Sequence, residues 1–532
     1  MDPSIRLSDE EVRRFICDGA LVLESGVADE VNAAIFEKIA WNNTREFNMG
    51  NNVLPRIPEL QQVLDAPRIH GALETVLGED YVLHPHRFMH ASEPLEADQR
   101  AMELAGDEHG PAMGKGSSAS SHWHQDSQSP LSRGRYHVPR LAMLIYFPQD
   151  TPPERGPTRV IPGTHLQARL SEEDYPYSLV PEVKAGTCLL VAFDIGHAGL
   201  SNRTDLSRYM FKFVFMRRRH PTGLTWAGEV GPWQDPRERL GRHAVPGAWS
   251  YVWDWMRGAK PGRSYGEGGS IESRLAALNG ADEAARLNAI YSFSGGEAAE
   301  VRALAASLEA CAGRDREFPL RFKKDAQGRF VPDGDMTERR WDEGAYAVQD
   351  EAYALGAIGA PALLAIAGLL EHPDAWVKIN AAFAAGEVGP EAASLVPKLA
   401  ELLEHERHQV ARAALDAMTA IGTNIAAALP ALTRLLTESN PRWQRAQRRG
   451  WSGEDQARFN ALCVLLSSDV PYAELEPLLV RCLDDRNGYV PALALEMLTE
   501  TKDSQPTGLA AALTYLKTHR WDDTLAAGQR VF

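Results

Sequence analysis

The chain has two textures. Up to about residue 220, short apolar runs alternate with Gly/Pro turns; from about residue 270, apolar residues recur at helical spacing in an Ala/Leu-rich background. At the front, Leu7-Ser8-Asp9-Glu10-Glu11 predicts a helix start, because Ser8 can cap and Glu11 completes a capping box. Val12, Phe15 and Ile16 then form the apolar stripe. Leu21-Val22-Leu23 reads as a strand, and further strands are expected at Tyr81–His90, Arg140–Phe147, Thr158–Ile161, Thr187–Phe193 and Tyr209–Met216. Short strands between Gly/Pro turns predict a mostly antiparallel sandwich or barrel.

The back half repeats. Leu369-Leu370, Leu402-Leu403 and Leu435-Leu436 stand 33 residues apart, as do Val377 and Val410, and Pro397 and Pro430. Gly359, Gly389 and Gly422 mark the start of each unit. A fixed period with two helices per unit predicts an all-α solenoid, because one helix pair cannot bury its apolar face alone. Leu275–Leu308 and Tyr472–Leu498 read as more degenerate units. The texture resembles HEAT-like repeats. Between the halves, Pro221–Gly269 is dense in Gly and Pro and holds Trp226, Trp233, Trp249, Trp253 and Trp255. A flexible linker does not need so many large apolar rings, so this stretch reads as packed connecting structure. The expected division is 1–220, 221–269 and 270–532.

Composition narrows the function. With 44% hydrophobic and 24% charged residues the chain is not disordered as a whole. Its longest apolar runs, such as Cys188–Phe193, are too short to cross a bilayer. No secretory signal is expected from Met1-Asp2-Pro3-Ser4-Ile5-Arg6. Cys17, Cys188, Cys311, Cys463 and Cys482 are odd in number and scattered, which argues for a reducing cytoplasm over a disulfide framework. A net charge of −16 argues against a general nucleic-acid or anionic-membrane binder.

The candidate chemistry lies in Ser121-His122-Trp123-His124-Gln125-Asp126. Alternate side chains of a strand share a face, so His124 and Asp126 can point together at one ion, and His122 can join them. A lone His-x-Asp is weak: a second one, His372-Pro373-Asp374, reads as turn and cap residues at a solenoid helix junction. The first has company. A Gly turn feeds the apolar strand Thr187–Phe193, which leads to His197, and Arg208 follows eleven residues later. Two histidines and one carboxylate make a facial triad with open positions, the arrangement that suits Fe(II) activating O₂. A nearby Arg suits a carboxylate co-substrate, since its planar fork binds both oxygens.

These residues, in this order, resemble the phytanoyl-CoA dioxygenase-like (PhyH) branch of the Fe(II)/2-oxoglutarate oxygenases. The resemblance rests on His124-Gln125-Asp126, on Gly156-Pro157-Thr158-Arg159-Val160-Ile161-Pro162-Gly163-Thr164-His165, and on His197 and Arg208. It runs from about Leu7 to about Arg217. It implies a double-stranded β-helix (jelly-roll or cupin-like) with flanking helices. It implies Fe(II) on His124, Asp126 and His197, with the far carboxylate of 2-oxoglutarate on Arg208. Succinate and CO₂ are then released as O₂ oxidises a substrate C–H bond. Asp126 favours hydroxylation, since halogenating relatives carry a small residue there. One departure is Gly199, where many members place a Ser that assists the Arg; Ser201 is the nearest substitute.

Other positions have two readings. Arg87 and His90 either anchor the oxoacid or substrate, or are satisfied polar groups on a sheet face. Gln125 either helps bind the co-substrate or is structural, since it points away from the metal face in an ideal strand. His122 is a partner of the metal ligands or faces solvent, His165 stabilises the Pro-Gly corner, Trp123 is core or pocket wall, and Ala101–Ser121 is a lid or a mobile loop. A metallo-β-lactamase-like hydrolase would need a His after Asp126, and position 127 is Ser. The expectation is an oxygenase for a small molecule; the alternatives are a protein hydroxylase that recognises its substrate through the solenoid, and a solenoid adaptor without catalysis.

Overall fold

The computed structural model describes residues 5–45, 51–94, 123–126, 135–168, 170–171, 173–228, 231–259, 265–266, 268–313, 322–324, 330–332, 348–444, 452–500 and 506–519. His122, Ser127 and the Ala101–Ser121 segment lie outside them.

Helix α1 (Asp9–Asp18) begins as expected: Ser8 accepts from the Glu11 N–H and the Glu11 side chain returns to Ser8. It ends at Gly19, whose φ of +70° suits only glycine without strain. Strand β1 (Ala20–Glu24) follows, then α2 (Asp29–Asn43) and β2 (Val82–Ser92). Strands β3 (Leu141–Tyr146), β4 (Thr158–Ile161), β5 (Thr187–Ala192), β6 (Gly196–Gly199) and β7 (Arg208–Met216) complete the front half. They form two antiparallel sheets. One has the order β1-β5-β3-β7-β2 and the other pairs β4 with β6.

The strands read as continuous apolar runs because both faces are covered. On one face Met143, Ile145, Leu189, Val191, Met210 and Val214 pack with Val160 of β4, so the small sheet lies over the large one. On the other, Leu144, Tyr146, Leu190, Phe211, Phe213 and Phe215 join the flanking helices.

The connecting stretch is packed. Trp226, Trp249, Trp253 and Trp255 are buried, and helix Pro246–Met256 carries the last three. Trp226 Nε1 donates to Asp9 at 2.7 Å, and Asp18 accepts from the Leu240 and Gly241 N–H groups, which ties this stretch to α1.

The back half is helical, and the repeat positions serve one purpose each. Leu369, Leu370, Leu402, Leu403 and Leu436 are buried at the ends of successive first helices, and Val377 and Val410 are buried in the helices that follow. Pro397 and Pro430 occupy the first helical turn, where a missing N–H costs nothing. Gly359, Gly389 and Gly422 all have positive φ where one helix turns into the next. Asp374 caps helix Ala375–Val388, in keeping with its reading as a cap residue. Among the described residues, no single helix is long and apolar enough to cross a membrane.

The two halves share one hydrophobic core, which runs from α1 through the connecting helix into the solenoid. Polar contacts reinforce it. Arg140 donates to the Gly386 carbonyl at 3.1 Å and lies 3.4 Å from Glu387. His137 stacks on Tyr353 with ring centroids 4.2 Å apart and meets the Tyr291 hydroxyl at 2.7 Å.

Candidate active site

The metal-binding segment is fixed by its backbone. The His124 N–H donates to the His197 carbonyl (3.1 Å) and the His197 N–H to the His124 carbonyl (2.9 Å). His197 is thereby held between β4, through its register with Val160, and the His124 segment. Alternation sends His124 and Asp126 one way and Gln125 the other, where its Nε2 donates to the Thr164 carbonyl at 3.0 Å.

His124, Asp126 and His197 offer ligand atoms that all lie within 4.8 Å of one another. His124 Nε2 is 3.7 Å from Asp126 Oδ1, and His197 Nε2 is 3.6 Å from Asp126 Oδ2. Facial ligands about 2.1 Å from a shared ion stand roughly 3 Å apart, so small side-chain rotations close the site. His197 Nδ1 is 3.0 Å from the Ile195 carbonyl, a pure acceptor. Nδ1 therefore carries the hydrogen, and Nε2 presents its lone pair to the cluster.

Electrostatics favour the ligating forms. Burial, then Lys212 and His124, hold His197 well below its ordinary range, so the ring is neutral. Burial would raise Asp126, but the Lys212 ammonium foremost outweighs it and keeps the carboxyl ionised.

Arg208 opens β7 and is buried. Its Nε donates to the Gly156 carbonyl at 3.0 Å, and its buried Nη1 has no partner. Burial pulls the guanidinium down to about 10, which leaves it charged at neutral pH. An orphaned buried nitrogen is costly, and a carboxylate from the site would satisfy it. Gly156 makes this possible: its φ is +76°, and a Cβ there would meet the Leu200 carbonyl oxygen at 2.4 Å. Ser201 is buried, with its backbone against the same glycine.

Register sorts the remaining candidates. Phe88 pairs with Lys212, His90 with Met210 and Ser92 with Arg208, so these side chains share the inner face. His90 is held well below its ordinary range by burial, then Lys212, Arg208 and His86, and lies beside the cluster. Arg87 pairs with Phe213 on the opposite face, where its charged neighbour is Glu496 of the solenoid. Arg87 and Gln125 are therefore not brought to the metal ligands. His165 sits behind the site, its Nε2 3.2 Å from the Ile16 carbonyl, and Trp123 stacks on Tyr175.

The sequence reading missed Lys212. Its Nζ lies 2.8 Å from His197 Nε2 and 3.4 Å from Asp126 Oδ2, with a side chain only 9% exposed. The signal was present: a strand that opens with Arg208 returns to the same face at Met210 and Lys212.

Residues 15–210 match the family model of phytanoyl-CoA dioxygenase (PhyH), and residues 360–449 match a HEAT repeats model. The front half is a PhyH-like Fe(II)/2-oxoglutarate oxygenase domain. A HEAT-like repeat region follows it. No curated protein matches the chain. Among solved structures, the chain is similar to the non-heme α-ketoglutarate-dependent epimerase SnoN from nogalamycin biosynthesis. That match has 17% identity, covers 44% of this chain and 95% of that one, and has a TM-score of 0.31. It is also similar to the carbocyclase SnoK from the same biosynthesis (20% identity, 40% and 85% covered, TM-score 0.29). A third is EctD from S. alaskensis with 2-oxoglutarate and 5-hydroxyectoine (16% identity, 44% and 84% covered, TM-score 0.31). The 2-His-1-carboxylate triad of the oxygenase domain fits Fe(II), 2-oxoglutarate and O₂.

Proposed function

We propose that the protein hydroxylates a C–H bond of a small organic molecule, with His124, Asp126 and His197 as iron ligands and Arg208 as the anchor for the far carboxylate of 2-oxoglutarate. The observation that carries this reading is the pairing of a compact ligand cluster with a buried, charged, partly unsatisfied Arg208, which shares its strand face with the Lys212 that touches the cluster. Within the same reading, the two facing sheets are the sides of a double-stranded β-helix, and the chain divides at about 220 and 270. The cluster, with His197 buried, Asp126 mostly covered and His124 partly open to solvent, suits a small substrate.

When bound, iron couples decarboxylation of 2-oxoglutarate to oxidation of the substrate by O₂. The chain's own residues prepare that chemistry. The Ile195 carbonyl fixes the His197 tautomer, the His124–His197 bridge sets the spacing of the two rings, and the Gly156 carbonyl orients Arg208. His90 and Phe88 form the aromatic wall beside them, their rings 5.1 Å apart.

We assign the solenoid to bracing the oxygenase domain before protein recognition, because the two share a continuous core. The five cysteines are free and buried, which supports a cytoplasmic protein.

The test is anaerobic titration of Fe(II) and 2-oxoglutarate, read by visible charge-transfer absorption. We expect a band that requires both, vanishes in His197→Ala and needs at least tenfold more 2-oxoglutarate in Arg208→Ala. No band from folded wild-type protein would sink the proposal.

A further inference from the structure

We propose that Lys212 is a substrate-positioning cation: it binds a carboxylate or sulfonate of the substrate beside the iron, so that the oxygenase acts on monoanionic small molecules. The inference rests on the oxygenase reading above and names the substrate class for that site.

The first argument is hydrogen bonding. The partners of the Lys212 ammonium are His197 Nε2 at 2.8 Å and Asp126 Oδ2 at 3.4 Å. Both atoms belong to groups that ligate the metal. A bound ion claims the Nε2 lone pair outright and draws on the carboxylate, so loading the site strips Lys212 of its nearest acceptor. The side chain is 9% exposed, too little for water to replace what it loses. A buried ammonium left short of acceptors is disfavoured.

The second argument is charge. Fe(II), the Asp126 carboxylate, a 2-oxoglutarate dianion and the Arg208 guanidinium cancel one another. Lys212 adds one uncompensated positive charge to a recessed site. Its inner-face neighbours do not remove it: Phe88 and Met210 are apolar, and His90 is held neutral. A substrate with a single negative group restores neutrality and supplies the missing acceptor in one step.

The third is placement. Arg208 and Lys212 lie on one face of β7, four residues and roughly 13 Å of strand apart. One 2-oxoglutarate, anchored on Arg208 and reaching the metal, leaves the Lys212 end to a different molecule. That end adjoins Phe88 and His90, an aromatic wall for the apolar part of a substrate.

The test uses full-length protein loaded with Mn(II) and 2-oxoglutarate, with acetate as the probe and acetamide as its neutral counterpart. Paramagnetic relaxation of the methyl protons reports a probe held near the metal. Acetate should relax at least fivefold faster than acetamide in wild type and in Lys212→Arg, and should fall to the acetamide level in Lys212→Met. Circular dichroism and the Fe(II)/2-oxoglutarate absorption band check that each variant is folded and loaded. Equal relaxation of the two probes in wild type overturns the proposal. So does an acetate effect that survives in Lys212→Met, which would place acetate on the metal itself. So does a weakened 2-oxoglutarate band in Lys212→Met with acetate relaxation unchanged, which would give Lys212 to the co-substrate. Absence of the band in wild type is a separate result and removes the oxygenase reading along with the inference.

Discussion

At the scale of single residues, Gly156 links backbone conformation to co-substrate binding. Its positive φ and its contact with the Leu200 carbonyl leave no room for a side chain, and its own carbonyl holds Arg208. Gly156→Ala should therefore destabilise the fold by about 2–4 kcal/mol through strain and overpacking. It should also raise the 2-oxoglutarate dissociation constant at least tenfold while metal content stays near wild type. Thermal unfolding and the absorption titration measure the two effects, and unchanged 2-oxoglutarate affinity would refute the link. The triad and Arg208 were legible in the sequence because each sits in a local pattern: His-x-Asp, a Gly-led strand ending near a histidine, and an arginine opening the next strand. Lys212 shares a strand face with Arg208, but alternation alone does not single it out. It is one lysine inside an apolar run, and its meaning comes from register with β2 and from a histidine brought to it from another strand.

At the scale of elements, the turn after β4 locks α1 to the small sheet. His165 lies against Gly19 so closely that a Cβ on that glycine would meet its Nδ1 at 2.3 Å, and its Nε2 meets the Ile16 carbonyl. The Gly163 N–H also donates to the Asp18 carbonyl at 2.9 Å. This half of the Pro-Gly-Thr-His motif is therefore architectural. His165→Ala should cost about 2–4 kcal/mol for a buried side chain removed, yet leave the energy of the Fe(II)/2-oxoglutarate band unchanged. A shifted band would place His165 in the site instead. Most elements were legible because their signals are local: a capping box, runs bounded by Gly and Pro, and a 33-residue repeat. What joins them was not. Trp226 and Asp9 are 217 residues apart, and no spacing rule pairs them.

At the scale of the whole molecule, the solenoid covers the back of the sheet, and its contacts are the least legible part of the chain. Arg140, His137 and His220 carry no periodicity or motif that marks them as contacts, because their partners come from distant repeats. They nonetheless pack against Glu387, Tyr353 and Gly389 respectively, and His137 is buried there. This seam makes stability depend on pH. Burial first, then Arg135, His165 and Arg286, pull His137 down to about 3; the Tyr291 hydroxyl and the Tyr353 ring also face it. Burial, then Arg140 and Arg217, pull His220 down to about 3 as well. Both stay neutral in the folded state, whereas a free histidine gains a proton near pH 6.5. The unfolded chain thus binds more protons below that value, and each histidine's contribution is full above pH 6.5 and is lost as pH falls toward about 3. At about 1.4 kcal/mol per pH unit, His137 alone should cost about 2 kcal/mol at pH 5. The melting temperature should therefore drop steeply between pH 6.5 and 5. In His137→Phe, which keeps a ring on Tyr353 but cannot titrate, the drop should be shallower by that one group. An identical slope in wild type and variant would mean that His137 does not contribute to it, and the acid sensitivity would have to come from His220 or from histidines away from the seam.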